Sequence, residues 1–286
     1  MKFNWNRYEE LPLERRNTLQ VFITNVCNLR CTGCFARNII GENNHEIGLE
    51  EYGQVIADFV SKGGKQVNLL GGEPLLHSKL LEIIALNKDN NLKTTIYTNG
   101  YFLNRFKKES LEGAKLRVSL YHYDSGLKSA KRLPETELPF DANFMVSRET
   151  TLDELLLSAE HVEKKYNCKT FFISSIRELD NPHQEFFDDT AITMPILEYK
   201  ELVHNFLAKY DGSMDIHVSK RGVFESTTTV ADNKCRFANY FIGGKIIQCP
   251  YDVVNKKFQQ NYSFGERPCQ QNNTCLMSKV IYRRKK

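Results

Sequence analysis

The chain has 286 residues, 41% apolar and 26% charged, with a net charge of +4 at pH 7, which is the balance of a globular domain that builds its own core. No uninterrupted apolar run approaches the ~18 residues of a membrane-spanning helix, and the polar stretch 1–18 excludes a secretory signal. The positive surplus is too small and too dispersed to point to nucleic acid; the expectation is a cytoplasmic protein with neither a membrane nor a nucleic-acid partner.

In chain order, the apolar run Leu19–Thr24 predicts the first strand, and further strands are expected at Gln66–Leu70, Lys93–Thr98, Lys115–Tyr121, Phe140–Ser147 and Thr170–Ser175. Helical spacing between them predicts helices over Leu49–Ser61, Ser78–Asn87, Leu152–Tyr166 and Leu197–Tyr210. Alternating strands and helices form a parallel sheet through right-handed crossovers. A closed eight-unit barrel takes about 250 residues, so the span 19–210 holds about six units. The predicted fold is therefore α/β, a partial (β/α)6 barrel, with a different texture after residue 212.

Eight cysteines divide into three, one and four along the chain. Cys27, Cys31 and Cys34 fall within eight residues on a loop leaving the first strand, where three thiolates can hold one metal centre without completing it. Structural zinc is closed by four ligands and iron–sulfur clusters normally take four cysteines, so a position stays open for something else. Cys168 stands alone before the sixth strand and reads as a small buried hydrophobe.

Parallel barrels build their sites at the carboxyl ends of the strands. Thr98-Asn99-Gly100 closes the third strand, His122 follows the fourth and Arg148 the fifth. His122 reads as a structural histidine that only its place makes a candidate proton or substrate contact. In Lys115–Tyr121 the apolar residues alternate with Arg117, Ser119 and Tyr121, which puts Ser119 toward the barrel interior. The long acidic stretch 177–195 carries Pro182 and Pro195 and is expected to act as a lid.

Past residue 212, Asn239–Ile242 and Lys245–Gln248 flank Gly243-Gly244, a hairpin signal. Cys235, Cys249, Cys269 and Cys275 surround it, enough thiolates to close either a zinc site or an iron–sulfur cluster. The basic end Arg283-Arg284-Lys285-Lys286 reads as a solvated tail. Three regions are expected: 1–18, an N-terminal segment; 19–212, the barrel; 213–286, the cysteine module.

The loop Cys27-x3-Cys31-x2-Cys34 behind a strand, with Gly71-Gly72-Glu73-Pro74 behind the next, resembles the radical S-adenosylmethionine (SAM) superfamily. That resemblance implies a [4Fe–4S] cluster on Cys27, Cys31 and Cys34, whose open iron SAM chelates, with Gly71, Gly72, Glu73 and Pro74 at the methionyl amino group. It also implies SAM contacts from Ser119 at the ribose, Arg148 at the carboxylate, and Thr98 and Asn99 nearby. The family carries an aromatic residue before the third cysteine; here Gly33 stands there and Phe35 follows, so Phe35 is the candidate adenine contact. Gly244 to Cys249, with Cys235 upstream, resembles the start of the SPASM extension, and the four cysteines its shorter single-cluster form, Twitch.

The implied activity is reductive cleavage of SAM to a 5′-deoxyadenosyl radical that takes a substrate hydrogen, with an auxiliary [4Fe–4S] cluster accepting an electron. An external reductant such as flavodoxin or ferredoxin supplies the first electron. The expectation is an oxidoreductase that oxidises or crosslinks a ribosomally made peptide; the alternative is dehydrogenation or epimerisation of a small molecule such as an amino sugar. A zinc-stabilised binding protein without catalysis is the reading from another class.

Overall fold

The computed structural model describes residues 8–12, 17–31, 33–34, 36, 40, 45–120, 126–176, 192–219, 234–235, 239–247, 267–268 and 280–284. Phe35, His122, Cys249, Cys269, Cys275 and residues 177–191 of the expected lid 177–195 lie outside the described residues, and of Cys235 only the backbone is described.

The six strands expected for the barrel all form: β2 (Thr18–Thr24), β3 (Gln66–Gly71), β4 (Lys93–Thr98), β5 (Ala114–Leu120), β6 (Phe140–Val146) and β7 (Thr170–Ser175). β8 (Asp215–Ser219) joins β7 in parallel, so the sheet continues past residue 212. The glycine hairpin is present as β10 (Asn239–Ile242) and β11 (Lys245–Ile247), turning through Gly243 (φ 52°) and Gly244 (φ 78°). Two successive positive φ angles are the signature of the mirror-image hairpin turn, which only residues such as glycine adopt cheaply. β10 pairs in parallel with β2, Leu19 opposite Asn239, which docks the hairpin on the strand that leads into the cysteine loop.

At the opposite edge, β13 (Val280–Arg284) is antiparallel to β8, and β1 (Tyr8–Pro12) is antiparallel to β13. Arg283 and Arg284 thus belong to a strand of the sheet, with Glu9 in register with Arg283. A run of cations at the end of a sequence reads as a tail in isolation; strand pairing across the whole chain length makes it part of the sheet. The eleven strands are ordered β1-β13-β8-β7-β6-β5-β4-β3-β2-β10-β11, so the sheet is open, with eight parallel strands (β2 to β8, plus β10). A separate two-stranded ribbon pairs β9 (Lys234–Cys235) with β12 (Arg267–Pro268).

Strict alternation explains both faces of the sheet. Leu116, Val118 and Leu120 of β5 and Phe140, Ala142, Phe144 and Val146 of β6 are buried in the core, while Arg117, Ser119, Asp141, Asn143 and Met145 are half-buried on the other, concave face. The core is closed by α1 (Leu49–Ser61), α2 (Leu80–Asp89), α4 (Leu152–Tyr166) and α5 (Ile196–Lys209). In α4, Leu155, Ser158, Ala159, Val162 and Tyr166 recur at helical spacing on the buried side. Thr151 caps its start by accepting from the Glu154 amide, and Asn167 (φ 53°) ends it in the left-handed conformation.

One helix was not expected from sequence, α3 (Gly126–Arg132). Its buried side is Gly126, Ser129 and Ala130, small residues without an apolar period to announce them. They are small because the helix lies close to the sheet: a Cβ on Gly126 would meet the Phe144 ring at 2.2 Å.

Candidate active site

The cysteine loop leaves β2 at Thr24 and stays paired with the exit of β3. The amide of Gly72 donates to Thr24 O at 2.8 Å, and that of Glu73 to Val26 O at 2.8 Å. Such a close approach demands the two glycines: a Cβ on Gly71 would sit 2.3 Å from Thr24 O, and one on Gly72 2.2 Å from Val26 O. Gly71 also adopts φ 152°. A third segment straps the loop from outside. Asn25 and His45 exchange bonds (Asn25 N to His45 O 3.0 Å, His45 N to Asn25 Oδ1 2.7 Å), and Ile47 N donates to Ile23 O at 2.9 Å.

Cys27, Cys31 and Cys34 are free thiols, half-buried on this loop. The Leu29 amide donates to Cys27 Sγ at 3.4 Å. Burial, followed by the neighbouring charges of Cys34 and Cys27, pushes the Cys31 thiol up to about 12. Burial likewise raises Cys27, with the charge of Glu73 adding to it. Two sulfurs close enough to resist the ionisation of the third, Cys31, form with it a donor set that a cationic iron–sulfur centre would relieve, because a bound metal inverts the local electrostatics. Among the described residues no three His, Cys, Asp or Glu side chains converge on a single metal ion. A cluster, which offers a separate iron to each thiolate, suits this loop better than one zinc ion gripping all three at about 2.3 Å.

Glu73 is almost wholly buried, at 1% exposure, and its carboxylate is the knot of the site. Oε1 accepts from the Leu75 amide (2.9 Å) and from Thr98 Oγ1 (2.6 Å), and Oε2 accepts from the Asn99 amide (2.8 Å). Burial pushes the carboxyl up to about 7, against the lowering by these three bonds. Of about four lone-pair positions on a carboxylate, three face protein donors. Glu73 therefore fastens the Gly71–Pro74 turn to the end of β4, in addition to whatever it offers a ligand. Pro74 opens a short 3-10 turn, Pro74–Leu76, and is buried beneath it.

Asn99 extends the knot to the cysteines. Its Nδ2 donates to Asn28 Oδ1 at 2.9 Å, and its Oδ1 accepts from the Tyr101 amide at 3.0 Å. Asn28 lies between Cys27 and Cys31 and has no sequence signal of its own. Only the fold shows that it joins the cysteine loop to β4. Cys27, Cys31, Cys34, Gly71, Gly72, Glu73, Pro74, Thr98 and Asn99 thus meet at the carboxyl ends of β2, β3 and β4. Ser119 stands two strands from β3 on the concave face, in register with Asn143. Arg148 follows β6, is exposed, and its amide donates to Ile192 O at 2.9 Å. Cys168 is buried at the opposite, amino end of β7, its thiol held by the carbonyls of Phe140 and Thr170 at 3.2 Å and pushed by burial to about 11.

A thiol loop knitted to a glycine–glutamate turn at the carboxyl edge of an open parallel α/β sheet is the arrangement of radical SAM proteins, and residues 21–125 match the family model described as Radical SAM superfamily. That match covers the segment that contains the site, and it is there that the chain is similar to the superfamily. Its relatives include the GTP 3′,8-cyclase of Acidothermus cellulolyticus, 30% identical over 133 residues, which are 43% of this chain and 36% of that protein. The GTP 3′,8-cyclase of Synechocystis is 37% identical over 93 residues, 32% of this chain and 28% of that one. The chain thus spans about a third of the length of the curated relatives it matches. Among solved structures, SuiB of Streptococcus suis bound to precursor peptide SuiA superposes with a TM-score of 0.62 at 14% identity, over 87% of this chain and 63% of that one. The structure of anSMEcpe with bound AdoMet and Cp18Cys peptide does so at 0.60 and 14%, over 92% and 79%. At such identities the likeness is one of fold.

Proposed function

We propose that this protein is a radical SAM enzyme that oxidises or crosslinks a peptide. The observation that carries the radical SAM reading is the hydrogen-bonded union of the cysteine loop with the Gly71–Pro74 turn through Glu73, Asn99 and Asn28. With a [4Fe–4S] cluster and SAM bound, the site would supply a 5′-deoxyadenosyl radical able to take a hydrogen from a substrate. The chain's own task is to hold and orient. Cys27, Cys31 and Cys34 grip the cluster, the backbone of Gly71 and Gly72 lies against the cysteine loop where the methionyl amino group belongs, and Ser119 and Arg148 are offered to ribose and carboxylate. Phe35 is the adenine contact of this reading. An external flavodoxin or ferredoxin delivers the electron.

The oxidative part of the reading rests on Cys235, Cys249, Cys269 and Cys275 as ligands of an auxiliary cluster. Two backbone facts support it. The β9–β12 ribbon sets Cys235 in register with Arg267, two residues before Cys269, and the β10–β11 hairpin ends at Ile247, two residues before Cys249. A peptide substrate is supported by the fold's likeness to SuiB and anSMEcpe, both solved with peptides. A second reading, cyclisation of a nucleotide, is favoured by the GTP 3′,8-cyclases among the relatives, whose matches cover 43% and 32% of this chain.

The test is anaerobic reconstitution followed by reduction with dithionite. SAM is expected to yield 5′-deoxyadenosine and methionine, and Cys31→Ala to abolish the cleavage and to lower the iron content and cluster absorbance to those of the auxiliary cluster alone. Retained cleavage in Cys31→Ala would sink the reading.

A further inference from the structure

We propose that Arg117 is a substrate anchor that takes an oxyanion group, a carboxylate or a phosphate, on the concave face of the sheet. The proposal rests on the functional reading above, since that face is where a substrate must meet the radical.

Arg117 belongs to a row that runs across adjacent strands. Tyr97 of β4 and Asp141 of β6 are its partners in register, and one step nearer the carboxyl ends Asn143, Phe172 and His217 form the next row. The guanidinium rises from its own row into that next one. Its carbon lies 3.7 Å from the centre of the Phe172 ring and 5.2 Å from that of Tyr97. The charge is therefore raised from the Arg117 row toward the carboxyl ends of the strands, to the level of Ser119, Asn143 and Phe172.

What holds the guanidinium is too little for what it is. Its side chain is 23% exposed, and a desolvated cation needs compensating acceptors. Among the described residues it has one hydrogen bond, Nη1 to the Tyr97 hydroxyl at 3.0 Å, and one ion pair, Nη2 to Asp141 at 3.9 Å, the outer limit of such a contact. Nε is buried without a partner among the described residues. Five donors are available on this group, and one neutral oxygen is engaged at hydrogen-bond distance. The neighbouring acceptor Asn143 is already occupied, its Oδ1 accepting from Ser174 Oγ at 2.8 Å.

The underside, by contrast, is well fixed. Phe172 supports the plane by cation–π contact and is itself braced edge-on by His217, ring centres 4.6 Å apart. A planar guanidinium held by its face, with its edge short of acceptors, is built for a two-oxygen anion that bonds it in parallel fashion. A neutral or cationic substrate group has nothing to gain there. The occupant's oxyanion would complete the charge that Asp141 meets only at long range.

The experiment uses the anaerobically reconstituted full chain, titrated calorimetrically with two probes. Inorganic pyrophosphate stands for the phosphates of a nucleotide, and glutarate for an acidic peptide side chain. Wild type is expected to bind one of the two. Arg117→Gln should weaken that binding about tenfold or more, and Arg117→Lys, which keeps the charge without the fork, should recover part of it. Phe172→Leu, which removes the supporting face and leaves the charge, should weaken it as well. Iron content and circular dichroism report whether each variant folds; if Arg117→Gln does not, Arg117→Lys and Phe172→Leu decide. Equal affinity in wild type and all folded variants, or no binding of either probe to wild type, overturns the proposal. SAM cleavage by wild type is read separately: its absence defeats the functional reading, whereas cleavage with no anion binding defeats this inference alone.

Discussion

Replacing Glu73 by alanine separates two roles that the Gly71–Pro74 turn could give its carboxylate. The side chain accepts from the Leu75 amide, the Thr98 hydroxyl and the Asn99 amide. Each buried donor left without an acceptor costs about 1–3 kcal/mol. Two effects hold the sum toward the lower end. Water entering the vacated space can satisfy some donors, and the wild type already bears the cost of a buried carboxyl, which is pushed up to about 7. The net loss expected is about 3 kcal/mol, or a fall of about 6–12 °C in Tm for a chain of this size. The assay is a thermal melt of the reconstituted protein with no SAM added, so that no ligand interaction enters. Glu73→Gln should fall less, because its carbonyl can keep Thr98 and Leu75 while its NH2 group opposes the Asn99 amide. An alanine variant that melts within about 1 °C of wild type, yet has lost SAM affinity, would refute the fastening role and return the carboxylate to the SAM ammonium.

Gly72→Ala is expected to expel the cysteine loop from its seat, since the added Cβ would lie 2.2 Å from Val26 O and 3.0 Å from Cys27 Cβ; iron incorporation at that loop should drop sharply, measured by iron and sulfide content. Replacing Cys269 and Cys275 together with alanine should halve the iron, from about eight to about four per chain, while SAM cleavage survives and substrate oxidation does not; about four irons plus one zinc in wild type would make that site structural instead. Stability should also fall on mild acidification through His77, whose ring Nε2 lies 3.2 Å from Ile47 O while Nδ1 accepts from the Lys79 amide, the neutral tautomer. Burial holds its pKa below the ordinary 6.5, so the unfolded chain takes up the proton first; stability present above pH 6.5 is lost as the pH falls through the folded value. Between about pH 7.5 and 5.5 the urea midpoint of wild type should move downward relative to that of His77→Gln. His161 and His204, also lowered by burial, act in the same sense and Glu73, raised to about 7, in the opposite one, equally in both proteins.

What the sequence determined by itself is what repeats locally. Six strands with four of the helices between them, the thiol spacing of Cys27, Cys31 and Cys34, the glycine pair of the Gly71–Pro74 turn and the hairpin at Gly243-Gly244 are patterns of a few residues, and each appears where those patterns placed it. Those signals survive because period, steric freedom and donor type act within a single element. The tertiary structure decided everything that needs two distant segments to meet. Residues 8–12 and 280–284 pair only because β8 offers them an edge, which turns Arg283 and Arg284 into strand. Asn28 and Asn99, 71 positions apart, bond because β2, β3 and β4 bring their ends together. Glu73, legible as a motif residue, becomes a buried knot only through Thr98 and Asn99. Arg117 reads as one polar position in an alternating strand; its weight comes from Phe172 of β7, which no local pattern connects to it. Hydrogen-bond partners and burial are properties of pairs, and a linear pattern specifies one member of each pair without naming the other.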